Sequence, residues 1–320
     1  MENEKNISGI SENLSDSIKE ESLIKDKKDP QFLFNKRIAI SVSECEELEQ
    51  LGFSAHHLKD ISIEIARYLM VNGATMMYGG DMRNGGYTEI FRDLSHQYRH
   101  LGDKEFRFVN YFPFPNSKAI TIDVKADFMS KQVHPEIINI PSHLGNIDTE
   151  KNYEPFKEVR DRFIFSECFA DMRIKMAQNS DARIVLGGKQ KNFLGYYPGI
   201  VEEAYQTLRA NKPIYLIGGF GGAAKSIIKI IQGEVPPQMT NDFQFDTDFL
   251  KEFKSYVSDK STIKLDYVYL VDFFKEYTVD AISKENGLSK EENLILFEST
   301  NIHEIVFLIM KGLKNISTNQ

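Results

Sequence analysis

The middle of the chain reads Asp171-Met-Arg-Ile-Lys-Met176, Ala182-Arg-Ile-Val-Leu-Gly-Gly188, Pro198-Gly-Ile-Val-Glu-Glu203 and Pro213-Ile-Tyr-Leu-Ile-Gly-Gly-Phe-Gly-Gly222. The two runs rich in Ile, Val and Leu are typical of buried parallel strands, and each ends at glycines. Glycine permits a tight turn and a close approach of the backbone to a ligand. The first amides of the following helix lack partners within that helix and favour an anion such as phosphate. This part of the chain therefore predicts a site for a polar, nucleotide-like ligand.

The same alternation of strand and helix extends towards the N-terminus. Strands are predicted at 37–42, 74–78 and 106–111, with a helix over 58–71 and another that begins near Tyr87. A long irregular stretch with four prolines is expected to follow the third strand. Repeated strand and helix units predict an α/β fold, a Rossmann-like open and mostly parallel sheet with helices on both faces. The three glycine turns, at 79, 187 and 218, then lie at the edge where such sheets bind ligands.

Three regions are predicted along the chain. Residues 1–33 are polar and aperiodic, which favours a flexible tail, with a short helix over 14–24 as the alternative. A nucleotide-binding domain spans 36–235, and a helical extension spans 236–320. Within the extension, helices are predicted at 248–257, 265–286 and 302–313, and Ser289 with Glu292 forms a capping box.

Composition limits the classes of function. The chain has 320 residues, 41% of them apolar, and a net charge of −8, which argues against a nucleic-acid partner. No apolar run is long enough to cross a membrane and no signal peptide is evident, so a cytoplasmic location is expected. Cys45 and Cys168 are read as reduced thiols. The histidine spacing predicts no metal site, and we expect no cofactor.

The central motifs resemble those of the LOG-type phosphoribohydrolases. The resemblance rests on Met172-Arg-x-Lys-Met176, the strand ending in Gly187-Gly188 and the Gly-x-x-Glu-Glu helix start at 199–203, while Tyr78-Gly-Gly80 is similar to that group's first phosphate turn. The order of strands and helices resembles that of the group over residues 36–235, whereas the motifs themselves match only near 78–89 and 171–203. The wider SLOG superfamily includes nucleotide-processing enzymes and ligand sensors, many tied to bacterial antiviral systems.

The chain departs from the enzyme motif Pro-Gly-Gly-x-Gly-Thr-x-x-Glu at three points. Leu186 replaces the proline, Ile200 stands where threonine is expected, and 189–198 are inserted before Gly199. By motif position, Glu203 matches the family's essential glutamate and Arg173 its essential arginine. The resemblance thus retains the acid, although the enlarged loop makes the ancestral cytokinin-type substrate doubtful.

These motifs define a set of candidate site residues. Glu203 would stabilise positive charge on a ribose or position a water, and Arg173 would clamp phosphate or ribose. Taken alone, Glu203 is better explained by the helix dipole and Arg173 by a solvated helix face, but together, in the order of the family motif, they are expected to lie in one pocket. The candidate ligand-binding residues are Gly79, Gly80, Asp81, Arg83, Gly187, Gly188, Lys189, Tyr196, Gly199, Glu202, Gly218, Gly219, Phe220 and Gly221.

Two functions remain open from the sequence. The chain is either an enzyme that cleaves the N-glycosidic bond of a nucleotide, perhaps one related to NAD or ADP-ribose, or a non-catalytic sensor of a nucleotide second messenger that signals to an effector protein. The expected partner is a nucleotide-derived small molecule rather than a nucleic acid or a membrane. The resemblance further implies a homodimer or a higher homo-oligomer.

Overall fold

Six parallel strands form a single sheet at the centre of the molecule. The computed structural model describes residues 31–80, 82–98 and 106–318. Within these ranges the sheet has the strand order β4-β3-β2-β1-β5-β6. The strands are β1 (Arg37–Ser43), β2 (Thr75–Gly79), β3 (Phe108–Phe112), β4 (Val133–Ile137), β5 (Ala182–Gly187) and β6 (Ile214–Ile217).

Twelve α-helices of the described residues surround this sheet. Those between the strands are α1 (Ala55–Val71), α2 (Tyr87–Gln97), α3 (Ile122–Ser130), α4 (Val159–Asn179) and α5 (Gly199–Arg209), and α6 (Gly222–Ile231) follows β6. The C-terminal group consists of α7 (Asn241–Gln244), α8 (Asp248–Lys260), α9 (Tyr267–Lys275), α10 (Val279–Asn286), α11 (Lys290–Glu298) and α12 (Ile302–Thr318).

Alternating residues of each strand face opposite layers of helices. On β1, Ile38, Ile40 and Val42 join the apolar core that contains residues of α1, α2 and α12. Ala39 faces the other way and packs with Met172 and Met176 of α4. Both faces of the sheet are therefore covered, as expected for a parallel sheet.

The C-terminal helices pack directly on β6 and the turn that follows it. Asn286 Nδ2 donates a hydrogen bond to the Ile214 carbonyl at 3.1 Å, and the Gly218 amide donates to the Phe297 carbonyl at 3.1 Å. Helices α8 to α11 also share one apolar cluster with β6, α5 and α6. The C-terminal helices thus pack against the sheet region, and the boundary at 236 stays a prediction.

The predicted fold class is confirmed, since the sheet is open and parallel with helices on both faces. The prediction of one irregular stretch after the third strand is wrong, because α3 and β4 lie within it. Pro135 interrupts the residue pattern of this segment, so the sequence did not predict a strand there. Proline is tolerated there because β4 is an edge strand, where fewer ladder hydrogen bonds are required.

The helical extension is also more finely divided than predicted. The helix expected over 265–286 is two helices, α9 and α10, with Thr278 capping the second by accepting a hydrogen bond from the Ala281 amide. The capping box of Ser289 and Glu292 is confirmed. Residues 1–30 of the predicted tail lie outside the described residues, whereas Leu33 is fully buried. None of the described helices combines the length and the apolar character needed to cross a membrane.

Candidate functional site

The sheet changes direction between β1 and β5. From β1 the chain proceeds outward through β2, β3 and β4, and it then returns by α4 to place β5 on the other side of β1. Such a switch point leaves a crevice at the carboxyl ends of the strands, where ligands of open α/β sheets bind. The turns at 79, 187 and 218 each follow the carboxyl end of a strand. They therefore share this edge of the sheet, as predicted.

One oxygen of the Glu203 carboxylate is held by side chains of the sheet. Helix α5 carries Glu203 over β1 and β5, where Oε2 accepts hydrogen bonds from the Ser41 hydroxyl and from Arg183 Nη1, the latter at 3.0 Å. Arg183 Nη1 also donates to Ser41 Oγ at 2.8 Å, and its Nε donates to Thr207 Oγ1 at 2.6 Å. These contacts fix the orientation of the carboxylate.

Arg183 is a cation without access to water. Its side chain is 0% exposed, and that of Glu203 is 12% exposed. Burial lowers the pKa of the Arg183 guanidinium, and the charge of Glu203 opposes this effect. The ion pair with Glu203 therefore keeps Arg183 charged within the fold.

The other oxygen of Glu203 points towards the first glycine turn. A Cβ placed on Gly79 would lie 3.4 Å from Glu203 Oε1 and 3.2 Å from Met172 Cε. Arg173 Nε lies 4.0 Å from the same oxygen. The absence of a side chain at Gly79 leaves this oxygen open on one side, so that it can face a ligand.

Arg173 forms a second buried ion pair beside the first. Its Nη1 lies 2.8 Å from Glu202 Oε2, and the two side chains are 7% and 3% exposed. Burial raises the pKa of Glu202, and the positive charge of Arg173 opposes this effect. Arg173 Nε is buried without a hydrogen-bond partner in the described part of the chain. The two glutamates and two arginines balance in formal charge.

The inserted loop at 189–198 covers this second ion pair. A Cβ on Gly195 would lie 2.5 Å from Arg173 Nη1 and 2.7 Å from Glu202 Oε2, so a side chain there would displace the ion pair. Tyr196 is buried, and its hydroxyl donates to Glu167 Oε1 at 2.5 Å. At the start of the loop, the Lys189 side chain is exposed and its amide lies 3.4 Å from Ser43 Oγ. The structure thus places Lys189 at the sheet edge and Tyr196 in the interior.

The first glycine turn also packs closely on β3. A Cβ on Gly80 would come within 2.1 Å of Asn110 Oδ1. Asn110 is fully buried, its Nδ2 donates to Thr88 Oγ1 at 3.1 Å, and its Oδ1 has no partner among the described residues. Arg83 is exposed near this turn, and Asp81 lies outside the described residues.

Gly187 and Gly188 are held by neighbouring backbone. Both have positive φ, 63° and 104°, and a Cβ on Gly187 would lie 2.5 Å from the Ser43 carbonyl oxygen. The Gly188 amide donates to that carbonyl at 2.8 Å, and the Gly188 carbonyl accepts from the Ala223 amide at 2.9 Å. Gly199 lies on the other side of the insertion, where a Cβ would be 3.0 Å from Arg173 Nη2.

The third glycine turn, at 218–221, packs against the C-terminal helices. A Cβ on Gly219 would lie 2.3 Å from the Ser299 carbonyl oxygen, and Phe220 is 1% exposed. The Gly222 amide, which follows Gly221 at the start of α6, donates to Glu47 Oε2 at 2.5 Å. This helix start therefore already binds a carboxylate of its own chain. Gly218 to Gly221 contact different partners from those of Glu203 and Arg173.

Sequence reasoning missed the residues that support Glu203 and Gly80. Ser41, Arg183 and Asn110 were not among the candidates, although an arginine inside the apolar run of β5 is a signal of a paired, buried cation. Nothing in the sequence distinguishes Asn110 or Ser41 from ordinary strand residues. Within the described ranges, no cluster of three His, Cys, Asp or Glu side chains is arranged to bind a metal ion.

Comparison with known proteins agrees with this architecture. No curated protein matches the chain. The model of the SLOG cluster2 family matches residues 32–296, which include the whole sheet, the four charged residues of the site and most of the C-terminal helices. The chain therefore belongs to the SLOG cluster2 family, a family of Rossmann-like proteins associated with nucleotide-related ligands.

Proposed function

We propose that the crevice beside Gly79 binds a nucleotide-derived ligand and that Glu203 promotes hydrolysis of its N-glycosidic bond. The observation that carries this proposal is the divided environment of the Glu203 carboxylate. One oxygen is held by Ser41 and Arg183, and the other faces Gly79. A carboxylate fixed in this way does not need to reorganise when charge develops beside it.

The reaction breaks the bond between ribose C1′ and the base, and the bonding electrons leave with the base. Positive charge then develops on the sugar, where Glu203 Oε1 stabilises it, as carboxylates do in glycoside hydrolysis. Water attacks C1′ and the carboxylate accepts its proton, while a base that leaves as an anion takes up a proton from solvent and nicotinamide, which leaves neutral, needs none. Arg173 lies beside the same oxygen, and a ribose or phosphate oxygen that reaches its buried Nε would supply the hydrogen-bond partner which that atom lacks among the described residues.

The ligand's phosphate would be bound near the first glycine turn and Lys189. The start of α6 is an unfavourable alternative, because Glu47 already occupies it and would repel an anion. In line with the SLOG resemblance, we extend the proposal to ligands related to NAD or ADP-ribose and to a role in bacterial antiviral defence. Cells that express the wild-type chain should then resist phage better than cells that express the Glu203→Gln variant.

The direct test is release of free base. Purified protein is incubated with nucleoside monophosphates, NAD and cyclic ADP-ribose, and the products are separated by chromatography. Wild type and the exposed-surface control Glu252→Gln should release base from one ligand class, whereas Glu203→Gln should lose at least about 100-fold in rate, as expected for removal of a positioned acid–base group. Equal rates in Glu203→Gln and wild type would contradict the proposal.

A second variant separates chemistry from folding. Gly79→Ala retains every charge but places a methyl group 3.4 Å from Glu203 Oε1. Gly79 does not require a left-handed backbone, so we expect a small change in melting temperature and a large loss of base release. If Gly79→Ala keeps full activity, the ligand does not approach Glu203 from this side.

A sensor of a nucleotide second messenger is the second candidate. It is favoured by the direct hydrogen bond between the Gly218 amide and the Phe297 carbonyl, which joins the ligand-binding edge to the C-terminal helices. A ligand could signal to an effector protein along this contact if it binds two states with different affinity. Thermal stabilisation by a ligand without any product, in both wild type and Glu203→Gln, would favour this function over the hydrolase.

A further inference from the structure

A separate cavity of about 280 Å³ lies between α4, α5 and the segment that leads into α9. Its lining includes Glu202 but neither Glu203 nor Arg173. The aromatic part of its wall comes from Tyr196, Tyr197, Tyr205 and Tyr269. Its size approaches the lower end of the range for small-molecule sites, roughly 300 Å³.

Two cations border this cavity. The Arg209 guanidinium lies 5.5 Å from the centre of the Tyr205 ring, and Lys264 Nζ lies 4.9 Å from that of Tyr269. Both side chains are exposed, and neither forms an ion pair with a carboxylate of the described residues. Most other exposed lysines of the C-terminal helices, such as Lys275, do pair with a carboxylate. The positive charge at this cavity is therefore available to an anion.

The aromatic wall is held in place before any ligand binds. The Tyr197 hydroxyl donates to the Lys264 carbonyl at 2.8 Å and its ring contacts that of Tyr267 at 5.2 Å. Burial raises the pKa of Tyr205 to about 12, so its hydroxyl is neutral at physiological pH. Neutral aromatic rings beside two unpaired cations suit a ligand that has both a planar ring and a negative charge.

We propose that this cavity is a second ligand site, which binds a nucleoside monophosphate or a similar anionic aromatic molecule. The ring packs against the tyrosines, and the phosphate contacts Arg209 and Lys264. A ligand there contacts Glu202, the carboxylate that binds Arg173 at 2.8 Å. Occupancy of the cavity therefore changes the position or charge balance of Arg173. This coupling rests on the proposed function of Arg173, whereas the binding itself does not.

Isothermal titration calorimetry with AMP tests the binding. Wild type should show a binding event that weakens at least about tenfold in both Arg209→Glu and Lys264→Glu, because each reversal replaces attraction with repulsion. Lys275→Glu, on the same helix as Tyr269 but paired with Asp272, is the matched control and should bind as wild type does. These residues are on the surface, so the variants should fold normally.

Two results would overturn the second site. One is the absence of binding to any of the four common nucleoside monophosphates at millimolar concentration. The other is AMP binding that is unchanged in both Arg209→Glu and Lys264→Glu. The Glu203→Gln variant separates the two proposals, since it should lose base release and keep the Arg209-dependent binding. For the coupling, saturating AMP should change the rate of base release in wild type and not in Arg209→Glu, and an equal effect in both would refute it.

Discussion

Removal of the Glu203 carboxylate should destabilise the fold as well as the site. In Glu203→Ala, Arg183, which is 0% exposed in the wild-type structure, loses its only ion-pair partner among the described residues. An uncompensated buried charge of this kind typically costs about 3–5 kcal/mol of unfolding free energy. With roughly 2.1 cal/mol/K of unfolding entropy per residue, a chain of 320 residues should lose about 4–8 °C in melting temperature.

The assay is a double-mutant cycle of Arg183→Met and Glu203→Leu, measured by calorimetry and urea unfolding alongside Glu203→Ala. Arg183→Met alone leaves Glu203 partly exposed, so its cost should be smaller than that of Glu203→Ala. The double variant Arg183→Met with Glu203→Leu replaces the pair by apolar groups of similar size, an exchange that is often neutral. It should therefore recover most of the stability that Glu203→Ala loses.

The reasoning about Arg183 is refuted by two outcomes. A loss below about 1 kcal/mol in Glu203→Ala would place the pair among weak surface interactions, which contradicts its burial. A double variant that loses as much stability as Arg183→Met and Glu203→Leu together, or more, would show that the ion pair does not couple the two residues. The first result would require that water reaches Arg183 in the folded protein.

Three further predictions concern other parts of the sheet edge. Gly80→Ala should lose about 1–3 kcal/mol of stability, as measured by urea unfolding, because its methyl group overlaps Asn110 Oδ1. Adding Asn110→Ala to this variant should restore part of the lost stability. Burial raises the pKa of the Cys45 thiol from 9.0 to about 11. At pH 8, alkylation of Cys45 should therefore be about 100-fold slower in the folded protein than in the unfolded chain, and its rate should rise with pH. The contribution of this pKa shift to stability is lost as the pH rises above 9. Buried Cys168, with a pKa raised to about 12, should react more slowly still, and mass spectrometry would distinguish the two. Glu47→Gln should leave the start of α6 without its carboxylate and make phosphate binding there measurable by calorimetry; unchanged phosphate affinity would show that Glu47 does not block this helix start.

The sequence predicted correctly those elements whose local residue pattern matches their environment in the fold. The apolar runs of β1, β5 and β6, and the glycines after β5 and β6, predicted the parallel sheet and its ligand-binding edge. β4 was missed because Pro135 interrupts its pattern, and only its place at the edge of the sheet makes that proline acceptable.

The candidate site was predicted in part, because long-range pairing is not visible in a linear motif. Glu203 and Arg173 do come together, at 4.0 Å, but the closest partners of Glu203 are Ser41 and Arg183, which lie 162 and 20 residues away in sequence. Glu202 was read as a neighbour of the acid, and the structure instead makes it the direct partner of Arg173. At Gly219 the contact that requires glycine is with the Ser299 carbonyl after α11, and the ligand turn at 218–221 stays a prediction.

The packing of the C-terminal helices on β6 has a consequence for how copies of this chain can associate. An outer strand normally offers free amides and carbonyls to which another strand can add. On β6 one such carbonyl is taken by Asn286, and the turn after the strand is bound to Phe297. At the opposite end of the sheet, Pro135 gives β4 one amide fewer to offer. Addition of strands from another subunit is therefore disfavoured at both edges of the sheet, and an assembly of this protein would be built through its helices. Removal of the residues after 235 would expose the edge of β6, which would then be prone to aggregation.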